Sequence, residues 1–245
     1  MQISVITVAY NSESVIRKTI ESVLSQEYGK IEYLIVDGAS ADGTVKIAEE
    51  YRDRMEGRGI KYRIYSEKDN GIYDAMNKGI LLATGDIIGI LNTGDWYEEG
   101  VLRTVADTFG TEHCDLLFGD IRIIKQDGSS FIKKAKLRRY QSSRDWNHPT
   151  MFVKAGLYKE NLFPCKGLHD DYGFYLKMVR KKARIVVVNR VMADFCMGGV
   201  SNRKGIKDSF HRIRDRYRWC YRINGYSRAY LLECIAIEVA KILLG

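Results

Sequence analysis

The chain carries only two prolines in 245 residues and has no serine-, proline- or glycine-rich stretch, so neither a long disordered segment nor a linker between units is signalled. Its five cysteines (Cys114, Cys165, Cys196, Cys220 and Cys234) form no CxxC pair and are odd in number. That argues against a disulfide framework and fits a reducing cytosol. No run approaches the ~18–20 apolar residues needed to span a bilayer. The opening MQISVITVAYN lacks a basic leader and a small-residue cleavage site, so it reads as a strand and not as a signal peptide. The turn that follows, AYNSES, has no glycine, and no P-loop occurs, which excludes the two common glycine-rich phosphate cradles. Internal repeats are also missing.

Positive charge is plentiful but local. The formal net charge is +8, yet nine Lys and Arg between Arg203 and Arg228 face only Asp208 and Asp215, which puts +7 in that stretch alone. The rest is nearly neutral, and a nucleic-acid-binding role for the whole protein loses its basis.

A hydrophobic fraction of 45% supplies ample material for a core. The first half alternates short β-branched runs with helical periodicity. Strands are expected at Ile3–Val8, Tyr33–Val36, Tyr62–Tyr65 and Ile87–Leu91, and helices follow at Val15–Leu24 (with Asn11 or Ser12 as cap), Thr44–Met55 and Ala75–Leu82. Such βαβ units imply an α/β fold with a mainly parallel sheet between helices. Ligands of these sheets sit beyond the carboxyl ends of the strands. The polar clusters Ala9-Tyr10-Asn11, Asp37-Gly38-Ala39-Ser40, Glu67-Lys68-Asp69-Asn70-Gly71 and Asn92-Thr93-Gly94-Asp95 all fall there. Further on, a turn at Gln126–Ser129 suggests a hairpin, residues 171–182 are helical, residues 185–196 form strands, and an amphipathic helix closes the chain near 229–244.

Several motifs occur in a fixed order: ITVAYN, VDGASADGT, EKDNGIYDAMNKG, ATGDIIGILNTGDW and HDDY. Together they resemble family 2 glycosyltransferases of the GT-A fold, a Rossmann-like mixed sheet, in the branch that builds surface polysaccharides of the colanic-acid type. The resemblance covers roughly residues 2–200. It implies a GT-A domain over 1–204 and a basic amphipathic helical appendage over 205–245. It also implies an inverting, metal-dependent hexosyltransferase that moves sugar from a UDP- or GDP-sugar to a hydroxyl of a glycan or lipid-linked saccharide.

The resemblance assigns residues as well. Ala9, Tyr10, Asn11, Glu13 and Asp37 would line the nucleoside pocket, although Asp37-Gly38 could equally begin a turn. Asp69, Asp74 and Asn77 would face ribose and donor phosphates; Asp74 and Asn77 are three apart and share a helix face. Asn92-Thr93-Gly94-Asp95 occupies the place of the DXD motif, with Asn92 standing for its first Asp. Asp95 would bind Mn²⁺ or Mg²⁺, with Asn92 and Thr93 beside the donor; one carboxylate completed by diphosphate oxygens and water is an acceptable octahedral site. Asp86 is expected to be structural. Asp171 of Asp170-Asp171-Tyr172 would be the general base that deprotonates the acceptor, and its neighbour Asp170 a cap. His148 and Trp96 would lie on the acceptor side, and Gly198-Gly199-Val200-Ser201 would close over the donor.

The tail admits two readings. Its basic residues and the apolar set Tyr230, Leu231, Leu232, Ile235, Ile237, Val239, Ile242 and Leu243 would dock on an anionic membrane, which would make the protein cytoplasmic and peripheral on the inner face of the cell membrane. Alternatively the helices pack on the catalytic domain, with the arginines solvated outside. A non-catalytic nucleotide-sugar-binding or scaffold protein is the rival to the enzyme, because of the altered metal motif.

Overall fold

The computed structural model describes residues 1–197 and 206–244. Nine strands among them form one mixed sheet: β1 Ile3–Ala9, β2 Ile31–Asp37, β3 Lys61–Ser66, β4 Ile87–Ile90, β5 Trp96–Tyr97, β6 Leu116–Ile124, β7 Ser130–Lys133, β8 Phe152–Lys154 and β9 Ile185–Cys196. Their order is β3-β2-β1-β4-β8-β6-β9-β5, with β7 paired to β6 as the hairpin that the Gln126–Ser129 turn signalled. β1 to β4 are parallel, whereas β8 runs antiparallel to both β4 and β6.

Alternation along the buried strands builds two cores. Ile3 and Val5 of β1 and Tyr33 and Ile35 of β2 enter one. This layer is covered by α1 Ile16–Leu24, α2 Thr44–Glu49, α3 Arg52–Gly57 and α5 Val101–Thr111. Ile6, Val8, Leu34 and Val36 enter the other, beneath α4 Ile72–Leu82, α6 Ala155–Lys159 and α7 Asp170–Arg180. Successive side chains of a strand point to opposite faces, so every residue of β1 and β2 is buried. α4 lies close to the sheet because Gly79 has no side chain: a Cβ there would stand 2.5 Å from Ile6 Cγ2.

Two local expectations are corrected. The helix expected over Thr44–Met55 is two helices, since Tyr51 N–H bonds to Ala48 O with the tighter i−3 spacing while the Tyr51 ring is buried. α1 has no side-chain cap: Ser12 receives the first helical N–H groups on its carbonyl and points its hydroxyl at Thr93, while Asn11 Oδ1 accepts from Ala41 N.

The chain closes with α8 Ile206–Asp215, a π-helical turn Arg216–Arg222 and α9 Tyr230–Leu244. These pack on the back of α7. Tyr221 Oη meets Tyr172 Oη at 3.1 Å and donates to Glu233 Oε2, Asn224 Nδ2 donates to Gly173 O, and Cys220 Sγ bonds His169 O. Against the expectation of solvated arginines, Arg212 and Arg216 are buried and share Glu238, because a carboxylate inside the helical cluster compensates both. Tyr230 and Ile237 also face inward, whereas Leu231, Leu232, Ile235 and Val239 remain exposed along one side of α9, and Phe210 of α8 is exposed as well. The side chains of Ile242 and Leu243 lie outside the described residues. No helix among those described is long and apolar enough to cross a membrane.

Candidate active site

Parallel pairing aligns the carboxyl ends of β1, β2, β3 and β4, so the loops after them share one edge of the sheet. Ala9 and Asp37 are direct cross-strand partners, and Ala9 O accepts from Gly38 N. The loops after β1 and β2 are then stitched together: Asn11 N–H donates to Ser40 Oγ, Ser12 N–H to Thr44 Oγ1, and Gly43 N–H to Glu13 Oε2. Asn11, with φ at 45°, makes the reversal that this stitching needs. Thr93, after β4, joins the same web through Ser12 Oγ at 3.1 Å.

Within this web Tyr10 is 65% exposed and offers a ring face, while Asp37 is fully buried. The Asp37 carboxylate accepts from Ser40 N–H, Ser40 Oγ and Ser66 Oγ, and so holds the turn after β2 against β3. Asp69 accepts from Gly71 N–H, and its other oxygen abuts Gly38, where a Cβ would come within 2.4 Å. Asp74 accepts from Asn70 N–H. Asn77 has both ends of its amide on the backbone of Phe163, donating to its carbonyl and accepting from its N–H, which fastens the loop leading into α7.

Asp95 sits under the β4–β5 turn, only 5% exposed, and among the described residues accepts a single N–H, that of Cys196, at 3.3 Å. Burial pushes its carboxyl up to about 8, against the small opposing effect of that bond. Asn92 Oδ1 is buried and has no partner among the described residues. A buried acid short of donors and an orphaned amide oxygen in the same turn, whose backbone closes through Asp95 N–H to Asn92 O, fit a divalent cation. Among the described residues no three His, Cys, Asp or Glu side chains come together as a metal cage, so substrate oxygens and water would have to complete the shell. Trp96 is half-buried next to this turn, with Lys18 Nζ 3.1 Å from its ring centroid. Asp86 receives Gln2 N–H at the opposite, amino edge of the sheet, in line with the structural part expected of it. A surface hollow lined by Met1, Asp86, Phe109 and Lys154 is on that edge as well, away from these groups.

The adjacent acids at the start of α7 have separate partners. Asp170 is buried and braces the preceding loop through Lys166 N–H and Gly167 N–H. Asp171 turns toward α4: its Oδ1 lies 2.9 Å from Tyr73 Oη and 2.8 Å from its neighbour Tyr172 N. Tyr73 follows directly on the β3–α4 loop of Asp69, so Asp171 is tied to the same edge as the β-strand ends. Burial, then the Asp171 charge, drives the Tyr73 phenol well above its usual range, which keeps it a donor. His148 Nδ1 stands 3.5 Å from Asp171 Oδ2. Tyr73 escaped the sequence reading; only its place inside EKDNGIYDAMNKG pointed to it. Gly198–Ser201, expected to close over the donor, lie outside the described residues.

A family model described as glycosyl transferase family 2 matches residues 4–193. The chain belongs to that family. As a family 2 member it is 33% identical over 157 residues to a PGL/p-HBAD biosynthesis glycosyltransferase of Mycobacterium tuberculosis, an alignment that takes in 63% of this chain and 60% of that relative. Among solved structures it is similar to Staphylococcus aureus TarS 1–349 in complex with UDP-GlcNAc, with a TM-score of 0.63, 19% identity and coverage of 100% of this chain and 73% of the other. It is also similar to the mannosyltransferase PcManGT of Pyrobaculum calidifontis in complex with GDP-Man and Mn²⁺, with a TM-score of 0.70, 15% identity and coverage of 99% and 74%. At these identities the likeness establishes the GT-A fold.

Proposed function

We propose that this family 2 protein is an inverting glycosyltransferase that passes a hexose from a UDP- or GDP-sugar to a hydroxyl of a glycan or lipid-linked saccharide, in surface polysaccharide or glycolipid assembly. The observation that carries the reading is the pairing of two acids on one edge of the sheet: Asp95, buried and short of donors, and Asp171, half-buried and oriented by Tyr73. The nucleotide would lie over Tyr10 and the Asn11–Ser40 web, with Asp37, Asp69 and Asp74 shaping the loops around base, ribose and phosphates. Asp95, with Asn92 and Thr93 beside it, would hold Mn²⁺ or Mg²⁺, whose charge offsets that of the leaving diphosphate. Asp171 accepts the proton of the acceptor hydroxyl as that oxygen attacks the anomeric carbon. A direct displacement of this kind inverts the anomeric centre and needs no covalent nucleophile. The structural neighbours support the substrate class, since one is a complex with UDP-GlcNAc and another a complex with GDP-Man and Mn²⁺.

The exposed apolar row of α9 and Phe210, bordered by the arginine-rich stretch, supports docking of the tail on an anionic membrane surface where lipid-linked acceptors reside. A direct test is thermal shift with UDP, GDP and their common sugars, with and without Mn²⁺, followed by nucleotide release from whichever donor binds. A ligand at about 100 times its Kd stabilises by about 2.7 kcal/mol, which raises Tm by roughly 5–10 °C in a chain of this size. No response to any nucleotide would refute the assignment.

A further inference from the structure

The 3₁₀ turn His148–Thr150 immediately precedes β8. Because β8 is antiparallel to β4, with Phe152 opposite Gly89, that turn lies beyond the carboxyl end of β4, on the edge that bears Asn92 and Asp95. Both ring nitrogens of His148 are buried there, and neither has a hydrogen-bond partner among the described residues. Trp146 covers it, with ring centroids 5.8 Å apart. A buried imidazole that uses neither nitrogen is an exception that calls for a partner, and the charged acceptor facing it is Asp171 Oδ2, 3.5 Å from Nδ1. Burial lowers the imidazole's pKa, against the pull of Asp171, so the ring is neutral and has one N–H to give.

The partners of Asp171 fix which oxygen acts. Oδ1 faces two donors, the Tyr73 hydroxyl and the Tyr172 N–H, and its lone pairs are thereby taken. Oδ2 is left with one lone pair toward His148 Nδ1 and one open. The other titratable groups around the pair are Tyr73 of α4, Tyr158 of α6, Asp170 of α7 and Cys220 of the π-helical turn. Burial keeps the two phenols and the thiol protonated, and Asp170 is occupied by the Lys166 and Gly167 N–H groups.

We propose that His148 is a positioning residue for Asp171: its Nδ1–H donates to Asp171 Oδ2 and turns the second Oδ2 lone pair toward the acceptor hydroxyl. The inference rests on Asp171 being the base. Such contacts commonly tighten from their ligand-free length when substrate closes the site. In the reaction the hydroxyl proton passes to Oδ2 while the new C–O bond forms and the bond to the diphosphate breaks, its electron pair leaving with the phosphate oxygen. His148 keeps its own proton throughout.

Two measurements test this. The chain has four histidines, so ¹⁵N-histidine spectra of the full protein are tractable. His148 is expected as the Nδ1–H tautomer, and Asp171→Ala should abolish that preference. An Nε2–H tautomer in the wild-type protein, or no change in Asp171→Ala, overturns the proposal. The second measurement is nucleotide release from the donor that binds, followed against pH. His148→Leu should lower kcat about tenfold or more with an unchanged KM for donor. It should also move the acidic limb of the kcat/KM profile up by roughly one pH unit, because a donor to the carboxylate is lost. His148→Asn, which places an amide N–H near the Nδ1 position, should restore most of both. A wild-type pH profile in His148→Leu overturns the proposal. If the wild-type protein releases nucleotide from no donor, the glycosyltransferase reading fails instead, and the tautomer measurement still decides the role of His148.

Discussion

Asp95→Asn should make the metal-free protein more stable, and more so as pH rises. The carboxyl of Asp95 is raised from 3.8 to about 8 by burial. A folded-state pKa above the unfolded value contributes stability that is fully present below about pH 4 and is lost as pH climbs toward 8. At 1.36 kcal/mol per pH unit, the loss between those limits is about 5 kcal/mol. The neutral isostere does not titrate and can still accept from Cys196 N–H, so the variant should gain on the wild type by about that amount near pH 8 and by little near pH 4. In a chain of 245 residues this corresponds to roughly 10–20 °C in Tm. Scanning fluorimetry of both proteins in EDTA at several pH values measures the gap. Excess Mn²⁺ should then raise the wild type and leave the variant unmoved. A variant that gains nothing between pH 5 and 8, or that responds to Mn²⁺ like the wild type, would refute the idea that Asp95 is a buried acid whose ionised form needs a cation.

Tyr73→Phe removes the phenol that holds Asp171 Oδ1 and should lower kcat about tenfold while UDP or GDP binding by thermal shift stays the same. Asn77→Ala releases both backbone groups of Phe163 and should cost about 2–4 kcal/mol in urea unfolding, with kcat falling as the loop before α7 loosens. Gly79→Ala forces a methyl group against Ile6 and should destabilise by about 1–3 kcal/mol, read by thermal denaturation with nucleotide affinity retained in the folded fraction. Glu238→Ala takes away the carboxylate shared by Arg212 and Arg216 and should cost about 3–5 kcal/mol, whereas a purely solvated tail would lose almost nothing in the same urea titration.

The βαβ half of the fold was readable because β1 and β2, buried on both faces, are mainly apolar and rich in β-branched residues, and α1 and α4 have clear 3.6-residue periodicity. β5 and β8, of two and three residues, are too short to have a period, and only their distant partners β9, β4 and β6 make them strands. The same distinction runs through the candidate site. Asp37, Asp69 and Asp95 stand at strand ends, where local pattern and topology find them. The contacts of Asp171 with Tyr73, 98 residues away, and of Asn77 with Phe163, 86 away, depend on how α7 and its loop fold back over α4. Periodicity contains no trace of such pairs. The tail misled for a related reason: an arginine count gives charge, and only packing reveals that two of those arginines are internal.

Tyr172 is next to Asp171 in sequence, yet its hydroxyl is spoken for by Tyr221 of the final helical segment, which in turn leans on Glu233. The segment from Arg216 to Leu244 therefore serves as a splint for the helix that bears Asp171. Trimming the protein near residue 205 would strip that splint and leave a wet aromatic scar along α7. Grafting a relative's tail would work only if the donor brought a matching tyrosine face with it.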